Sequence, residues 1–203
     1  MRHGETRWNE EGRLQGSVDI PLNDYGIELA EKTRDGLKRD GISFDKVFTS
    51  PYSRAKQTAQ IVAGQIRVPI TEDDRLREVC FGAYEGVKIS DIYSDPAYAG
   101  FAEYFRNPPA YEREGTAESY EEVFARASAF LQEEILPLEG KYENVLVVCH
   151  GAIVRAILSL IRELPLEKYW TISQPNCCVN VVALEERKLT MVEEGRLYYE
   201  QKQ

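Results

Sequence analysis

Short apolar runs and apolar residues at helical spacing alternate along this chain. Val47-Phe48-Thr49-Ser50, Val68-Pro69-Ile70 and Val145-Leu146-Val147-Val148-Cys149 are compact apolar runs. They predict buried strands, and the last reads as a central parallel strand covered on both faces. Between them, Ile27, Ala30 and Leu37 predict one side of a helix from Asn23 or Asp24 to Lys38, capped by the Asn/Asp pair and ended by Gly41. Ala55, Ala59, Ile61 and Val62 predict a second helix, opened by Pro51 where a missing N–H costs little. Val123, Phe124, Ala127, Phe130, Leu131 and Ile135 predict a long helix that starts at Glu118-Ser119 and stops at Pro137. Residues 152–162 read as a helix and 165–173 as a short one, while 178–184 and 188–193 read as a closing hairpin at one sheet edge.

Strands alternating with helices predict an α/β fold of three layers (α/β/α), with a mostly parallel central sheet and helices on both faces. At 203 residues the chain makes one domain, 1–203, with no internal repeat, low-complexity stretch or linker. Residues 88–118 break the pattern. They carry Tyr93, Tyr98, Phe101, Tyr104, Phe105 and Tyr111 among scattered charges. The stretch reads as an inserted lid with aromatics available to a substrate, or as a helical excursion whose aromatics pack on one another.

Apolar residues make up 43% of the chain and charged ones 29%, enough for an ordinary globular core. The formal net charge of −9 argues against a nucleic-acid surface. A phosphate still fits a local cationic pocket, because the global charge is screened over a short distance. Cys80, Cys149, Cys177 and Cys178 match neither a zinc site nor a CxxC pair. They read as free thiols of a reducing compartment, and the adjacent Cys177 and Cys178 point to opposite faces of a strand. With no signal peptide, membrane-length apolar run or anchor motif, the expectation is a cytoplasmic protein without a membrane partner.

Only two histidines are present, His3 and His150, and each is followed by glycine. Histidine serves as nucleophile, acid, base or phosphate ligand near neutral pH. Around them stand Arg2-His3-Gly4-Glu5-Thr6, then Ser50-Pro51-Tyr52-Ser53-Arg54-Ala55-Lys56-Gln57-Thr58, then His150-Gly151 at the end of the longest apolar run. Ser50 and Arg54 fall near a helix N-terminus, which favours an anion. A predicted parallel sheet gathers the loops 2–9, 50–58 and 150–151 at its C-terminal edge. Two guanidiniums and two imidazoles there suit a phosphoryl group. Two histidines and scattered carboxylates do not make a closed metal-ligand set, so no metal and no cofactor is expected.

These motifs, spread over almost the whole chain, resemble the histidine phosphatase superfamily, and more narrowly its phosphoglycerate-mutase-like branch. The resemblance implies that His3 attacks phosphorus and becomes a phosphohistidine, with its other ring nitrogen donating to a backbone carbonyl. Arg2, Arg54 and His150 bind the phosphoryl group, with Asn9 and Gly151 beside them. Gln15 and Gly16 border the substrate, or simply make a turn. Glu78, in Leu76-Arg77-Glu78-Val79-Cys80-Phe81-Gly82-Ala83-Tyr84-Glu85-Gly86, matches the proton donor. A general acid must keep its proton, which calls for burial or nearby negative charge; the plainer reading pairs Glu78 with an arginine. Glu85 ranks below it, as a structural carboxylate.

In the family a short apolar strand precedes the Arg-His-Gly motif. Here Met1 stands directly before Arg2, so further apolar residues upstream are expected, and a chain starting at Met1 would leave His3 on a fraying end. The implied activity is that of a metal-independent phosphomonoesterase acting on a small phosphorylated metabolite. The Phe81–Gly86 stretch resembles the phosphatase-type branch, which includes α-ribazole and broad-specificity phosphatases, and Arg106 and Arg113 do not form the adjacent pair that mutases use. A cofactor-dependent phosphoglycerate mutase is the alternative, and a non-catalytic phosphate-binding scaffold is the alternative of another class. The apolar C-terminal strands offer an edge for a homodimer.

Overall fold

The computed structural model describes residues 1–64, 68–113 and 115–201. Three parallel strands form the sheet: β1 (Lys46–Thr49) lies between β2 (Ile70–Glu72) and β3 (Val145–Val148). A hairpin of β4 (Val179–Glu185) and β5 (Lys188–Arg196) pairs antiparallel beyond them. The expected strand at 68–70 is shifted to Ile70–Glu72, because Pro69 cannot donate to a ladder.

Among the described residues seven α-helices surround the strands: α1 (Arg7–Glu10), α2 (Asp24–Arg39), α3 (Ser53–Ala63), α4 (Ile89–Ser94), α5 (Ala99–Arg106), α6 (Tyr120–Phe130) and α7 (Gly151–Arg162). Asn23 caps α2 through the Gly26 N–H, and Ser119 with Glu122 forms a capping box on α6. Pro51 does not open α3. Tyr52 is extended at the cap, and the Asp19 carboxylate from the 7–23 loop accepts from Ser53 N–H instead. Among the described residues no helix is long and apolar enough to cross a membrane.

Side chains alternate across the sheet and build two cores. Val47, Leu146 and Val148 face Leu29, Ala30, Ala59 and Val62 of α2 and α3. Phe48 and Cys149 face Val123, Phe130, Ile153 and Leu158 of α6 and α7. Helices on both faces of a parallel sheet follow directly. A largely apolar cavity of about 480 Å³ lies between β3 and β4, lined by Met1, Val145, Val147, Ile157, Ile161 and Val181 among others.

Of the 88–118 aromatics, Phe101 and Tyr104 pack inward, while Tyr93 is 43% exposed. Phe101 and Tyr104 are wholly buried, Phe101 stacks on Tyr84 at 3.7 Å, and Tyr104 stacks on Tyr120 at 4.5 Å. Trp170 Nε1 donates to the Tyr104 carbonyl at 2.9 Å and locks the segment to the 3₁₀ turn Leu166–Thr171. Removing the Phe101 and Tyr104 rings from water favours this packing.

Candidate active site

The N-terminal residues are held as a strand between β3 and the residues that lead into β4. His3 N–H donates to Cys149 O at 2.9 Å and Cys149 N–H to Met1 O at 3.0 Å. On the other side Arg2 N–H donates to Cys178 O at 3.2 Å and Cys177 N–H to His3 O at 3.1 Å. His3 is therefore fixed at the C-terminal edge of the sheet and only 3% exposed, not on a fraying end. Its Nδ1 lies 2.6 Å from the Gly4 carbonyl. A carbonyl only accepts, so Nδ1 carries the ring proton and Nε2 keeps its lone pair. Burial, with Arg54 and Arg2 nearby, holds His3 well below its ordinary 6.5, and the ring is neutral.

His150 ends β3 and caps α7. Its ring centroid is 5.0 Å from that of His3. Arg54 Nε donates to His150 Nδ1 at 3.1 Å, and His150 Nε2 meets Ser50 Oγ at 2.7 Å. Guanidinium cannot accept, so the proton of His150 sits on Nε2 and goes to Ser50. Both ring nitrogens of His150 are thus engaged, Nδ1 by Arg54 and Nε2 by Ser50. Burial and the Arg54 charge push His150 well below 6.5 as well.

Arg54 is wholly buried, and its Nη1 lies 3.7 Å from Asp19 Oδ1. Its Nη2 donates to Gly16 O at 2.8 Å and its Nη1 to Val18 O at 3.0 Å. Burial lowers it to about 10, against the pull of Glu78 and Asp19, so it remains charged at neutral pH. Gln15, with its amide turned to suit both neighbours, donates to Thr6 Oγ1 and accepts from Arg54 Nη1 at 3.1 Å. Gly16 has no room for a Cβ, which would meet the Val79 carbonyl and the Glu85 carboxylate. Glu85 itself accepts from the Ser17, Val18 and Phe81 amides at 2.8, 2.9 and 3.0 Å. That carboxylate ties two loops together, as its structural reading expected.

Arg2 donates through Nη1 to Gln174 O at 2.6 Å, while its Nε is buried without a partner. An unsatisfied buried donor costs about 1–3 kcal/mol, more when charged. A point on Gly151 where a Cβ would stand is 3.6 Å from Arg2 Nε, 3.7 Å from Glu78 Oε2 and 3.2 Å from Arg155 Nη1. The residues around this point, an orphaned guanidinium N–H among them, suit an anion. Glu78 is 8% exposed and does not pair with an arginine side chain. Its carboxylate accepts from Val79 N–H at 3.0 Å, Ala152 N–H at 3.1 Å and Ile153 N–H at 3.3 Å, at the start of α7. Asn9 closes a capping box with Thr6, and its Oδ1 also accepts from Asn176 at 3.2 Å.

Four site residues were not singled out from the sequence: Asp19, Arg155, Gln174 and Asn176. Arg155 stands four residues after Gly151 and donates to its carbonyl at 2.9 Å, so helical spacing placed it on the right face. Gln174 and Asn176 act partly through main-chain atoms in a loop, where periodicity carries no signal. The buried thiols stay protonated, Cys149 pushed up to about 11 and Cys177 to about 12 by desolvation.

The family model described as histidine phosphatase superfamily (branch 1) matches residues 1–195. Phosphoserine phosphatase 1 of Hydrogenobacter thermophilus is 28% identical over 93% of this chain and 86% of its own. A 2,3-bisphosphoglycerate-dependent phosphoglycerate mutase of Corynebacterium efficiens is 30% identical over 78% and 73%. The solved structure of Bacillus stearothermophilus YhfR superposes with a TM-score of 0.86 at 30% identity, covering 97% of this chain and 95% of that one. Motif, fold and relatives agree, and the chain belongs to the histidine phosphatase superfamily, branch 1.

Proposed function

We propose that this protein hydrolyses a phosphomonoester through a phosphohistidine on His3. The observation that carries the reading is the neutral His3 ring, with Nδ1 fixed on Gly4 O and the Nε2 lone pair left free. Phosphoryl transfer is mostly positioning and charge stabilisation. Arg2 Nε offers an unused donor, and Arg54 and Arg155 add fixed positive charge close by. His3 Nε2 attacks phosphorus in line. The ester P–O bond breaks, and its electron pair leaves on the oxygen, which takes a proton from Glu78. Water then attacks the phosphohistidine and gives a proton to the Glu78 carboxylate. The N–P bond breaks, its pair returns to Nε2, and phosphate leaves.

Two relatives carry names that point to phosphoserine and phosphoglycerate, both carboxylate-bearing. Small phosphorylated hydroxy or amino acids are therefore the first substrates to offer. A panel with chelator present should include phosphoserine, 3-phosphoglycerate, α-ribazole phosphate and p-nitrophenyl phosphate. Phosphate release that disappears in His3→Ala, with an acid-labile phosphoenzyme trapped during turnover, is the expected result. Turnover without any His3-dependent phosphoenzyme would falsify the mechanism. The mutase relative supports a second reading, and interconversion of 3- and 2-phosphoglycerate without phosphate release would establish it instead.

A further inference from the structure

We propose that Asn176 is a positioning residue for His3, acting through the main-chain carbonyl of Gly4. The proposal rests on His3 being the phosphoryl acceptor. Gly4 O accepts from His3 Nδ1 at 2.6 Å and from Asn176 Nδ2 at 3.0 Å. The same amide nitrogen lies 3.1 Å from His3 O and 3.2 Å from Asn9 Oδ1. One carboxamide NH₂ thus serves three acceptors, all on the segment that carries the nucleophile. A carbonyl oxygen has two lone pairs. With Asn176 on one side and His3 on the other, the direction of the Gly4 carbonyl is fixed.

That fixing matters because residue 4 has no side chain to set its own peptide plane. Its N–H is held by Thr58 Oγ1 at 3.0 Å, and among the described residues its carbonyl accepts from His3 and Asn176 alone. If the carbonyl turns away, His3 Nδ1 loses its acceptor. The partner of one ring nitrogen decides which nitrogen carries the proton. A proton on Nε2 occupies the lone pair that attacks phosphorus.

Asn176 is itself anchored. Tyr199 Oη donates to its main-chain carbonyl at 2.5 Å. The next residue, Cys177, is a buried non-glycine with φ of 54°, in the left-handed region that side chains other than glycine's rarely adopt. In that conformation Cys177 N–H reaches His3 O at 3.1 Å. From Gln174 to Cys178 the strap therefore meets Arg2, His3, Gly4 and Asn9 in turn. An aspartate at 176 keeps the shape but replaces the donor with an oxygen facing three acceptors.

Histidine tautomers can be read directly in the resting protein by long-range ¹H–¹⁵N correlation on ¹⁵N-histidine-labelled chains. The sequence gives only two imidazoles, assigned with a His150→Gln sample. The wild type is expected to show His3 protonated on Nδ1. Asn176→Asp should move population to the Nε2-protonated form. It should also slow single-turnover phosphoenzyme formation by about 10–100-fold, with inorganic phosphate affinity changed less than threefold. Asn176→Ser, which keeps one donor and adds no charge, should fall between the two, and it carries the test if the aspartate variant does not fold. An unchanged His3 tautomer in folded variants overturns the proposal, whatever happens to the rate. Because the tautomer is read without turnover, it decides the role of Asn176 even if no phosphoenzyme is found in the wild type.

Discussion

Acidification between pH 7 and 5.5 should destabilise this protein through its two histidines. Both His3 and His150 are buried, neutral and held well below 6.5 by desolvation and by neighbouring guanidiniums. In the unfolded chain each returns to a value near 6.5. Below that value the unfolded state binds more protons than the folded one, so stability falls as pH falls. Their contribution is fully present above about pH 6.5 and is lost as the pH drops toward the folded-state values. Integrating from pH 7 to 5.5 gives about 1.3 kcal/mol per histidine, or roughly 2.5 kcal/mol for both. For a chain of this size that is a fall in Tm of roughly 5–10 °C. Carboxylates do not confuse the window. Asp73, lowered by its Arg75 partner, loses its contribution only as pH falls past its unfolded value near 4. Urea titrations at pH 7, 6.25 and 5.5 measure the effect, and unfolding at pH 6 should take up about 1.5 protons. A His3→Ala variant should lose about half of the pH slope whatever its baseline stability. A flat profile over this range would show that both rings accept a proton while folded, and the neutral, Nδ1-protonated His3 would then be wrong.

Two further results are expected. Glu78→Gln should lower kcat by about 10²–10⁴-fold while inorganic phosphate still binds; wild-type turnover in that variant would remove Glu78 as the proton donor. Joining four apolar β-branched residues ahead of Met1 should fill the cavity between β3 and β4, for a net gain of about 2 kcal/mol and roughly 4–8 °C in Tm; an unchanged melting curve would mean that the cavity does not take a strand.

The sheet and its flanking helices were legible because burial on two faces leaves continuous apolar runs, as in Val145–Val148, and helical spacing such as Val123, Ala127 and Phe130. His3, Arg54, Glu78 and His150 were legible as motifs, and the fold brings them to one edge. The strap was not legible. Asn176 contacts Gly4 across 172 positions, and its partners are mostly carbonyls that any residue supplies. Nor does residue type reveal where a guanidinium sends its donors. Arg54 reads as a phosphate fork, but in the structure Gly16 O, Val18 O and His150 share it. The 88–118 aromatics were open between two readings because side-chain size alone does not say which surface they meet; part of what Tyr104 meets is Trp170, far along the chain.

The positive charge of the site does two things at once. In the proposed mechanism Arg2 and Arg54 attract a phosphoryl dianion, while burial and the same two charges keep His3 from binding a proton. A nucleophile beside cations is weaker as a base yet available at lower pH, which suits attack on an anion whose own charge those cations screen. The overall charge of −9 does not oppose this, because it is spread over a surface screened beyond about 8 Å, while Arg54 acts from within hydrogen-bond reach of the His150 ring. Burying such charges is costly, and the chain offsets the cost with main-chain carbonyls: Gly16 and Val18 for Arg54, Gln174 for Arg2, Ile172 and Gly151 for Arg155. Four of these five carbonyls lie in two loops, Gly16 and Val18 in 15–18 and Ile172 and Gln174 in 172–178. The loops are therefore part of the electrostatic design, and Arg2 Nε, the guanidinium N–H left buried and unsatisfied among the described residues, is where the proposed mechanism has an anion complete it.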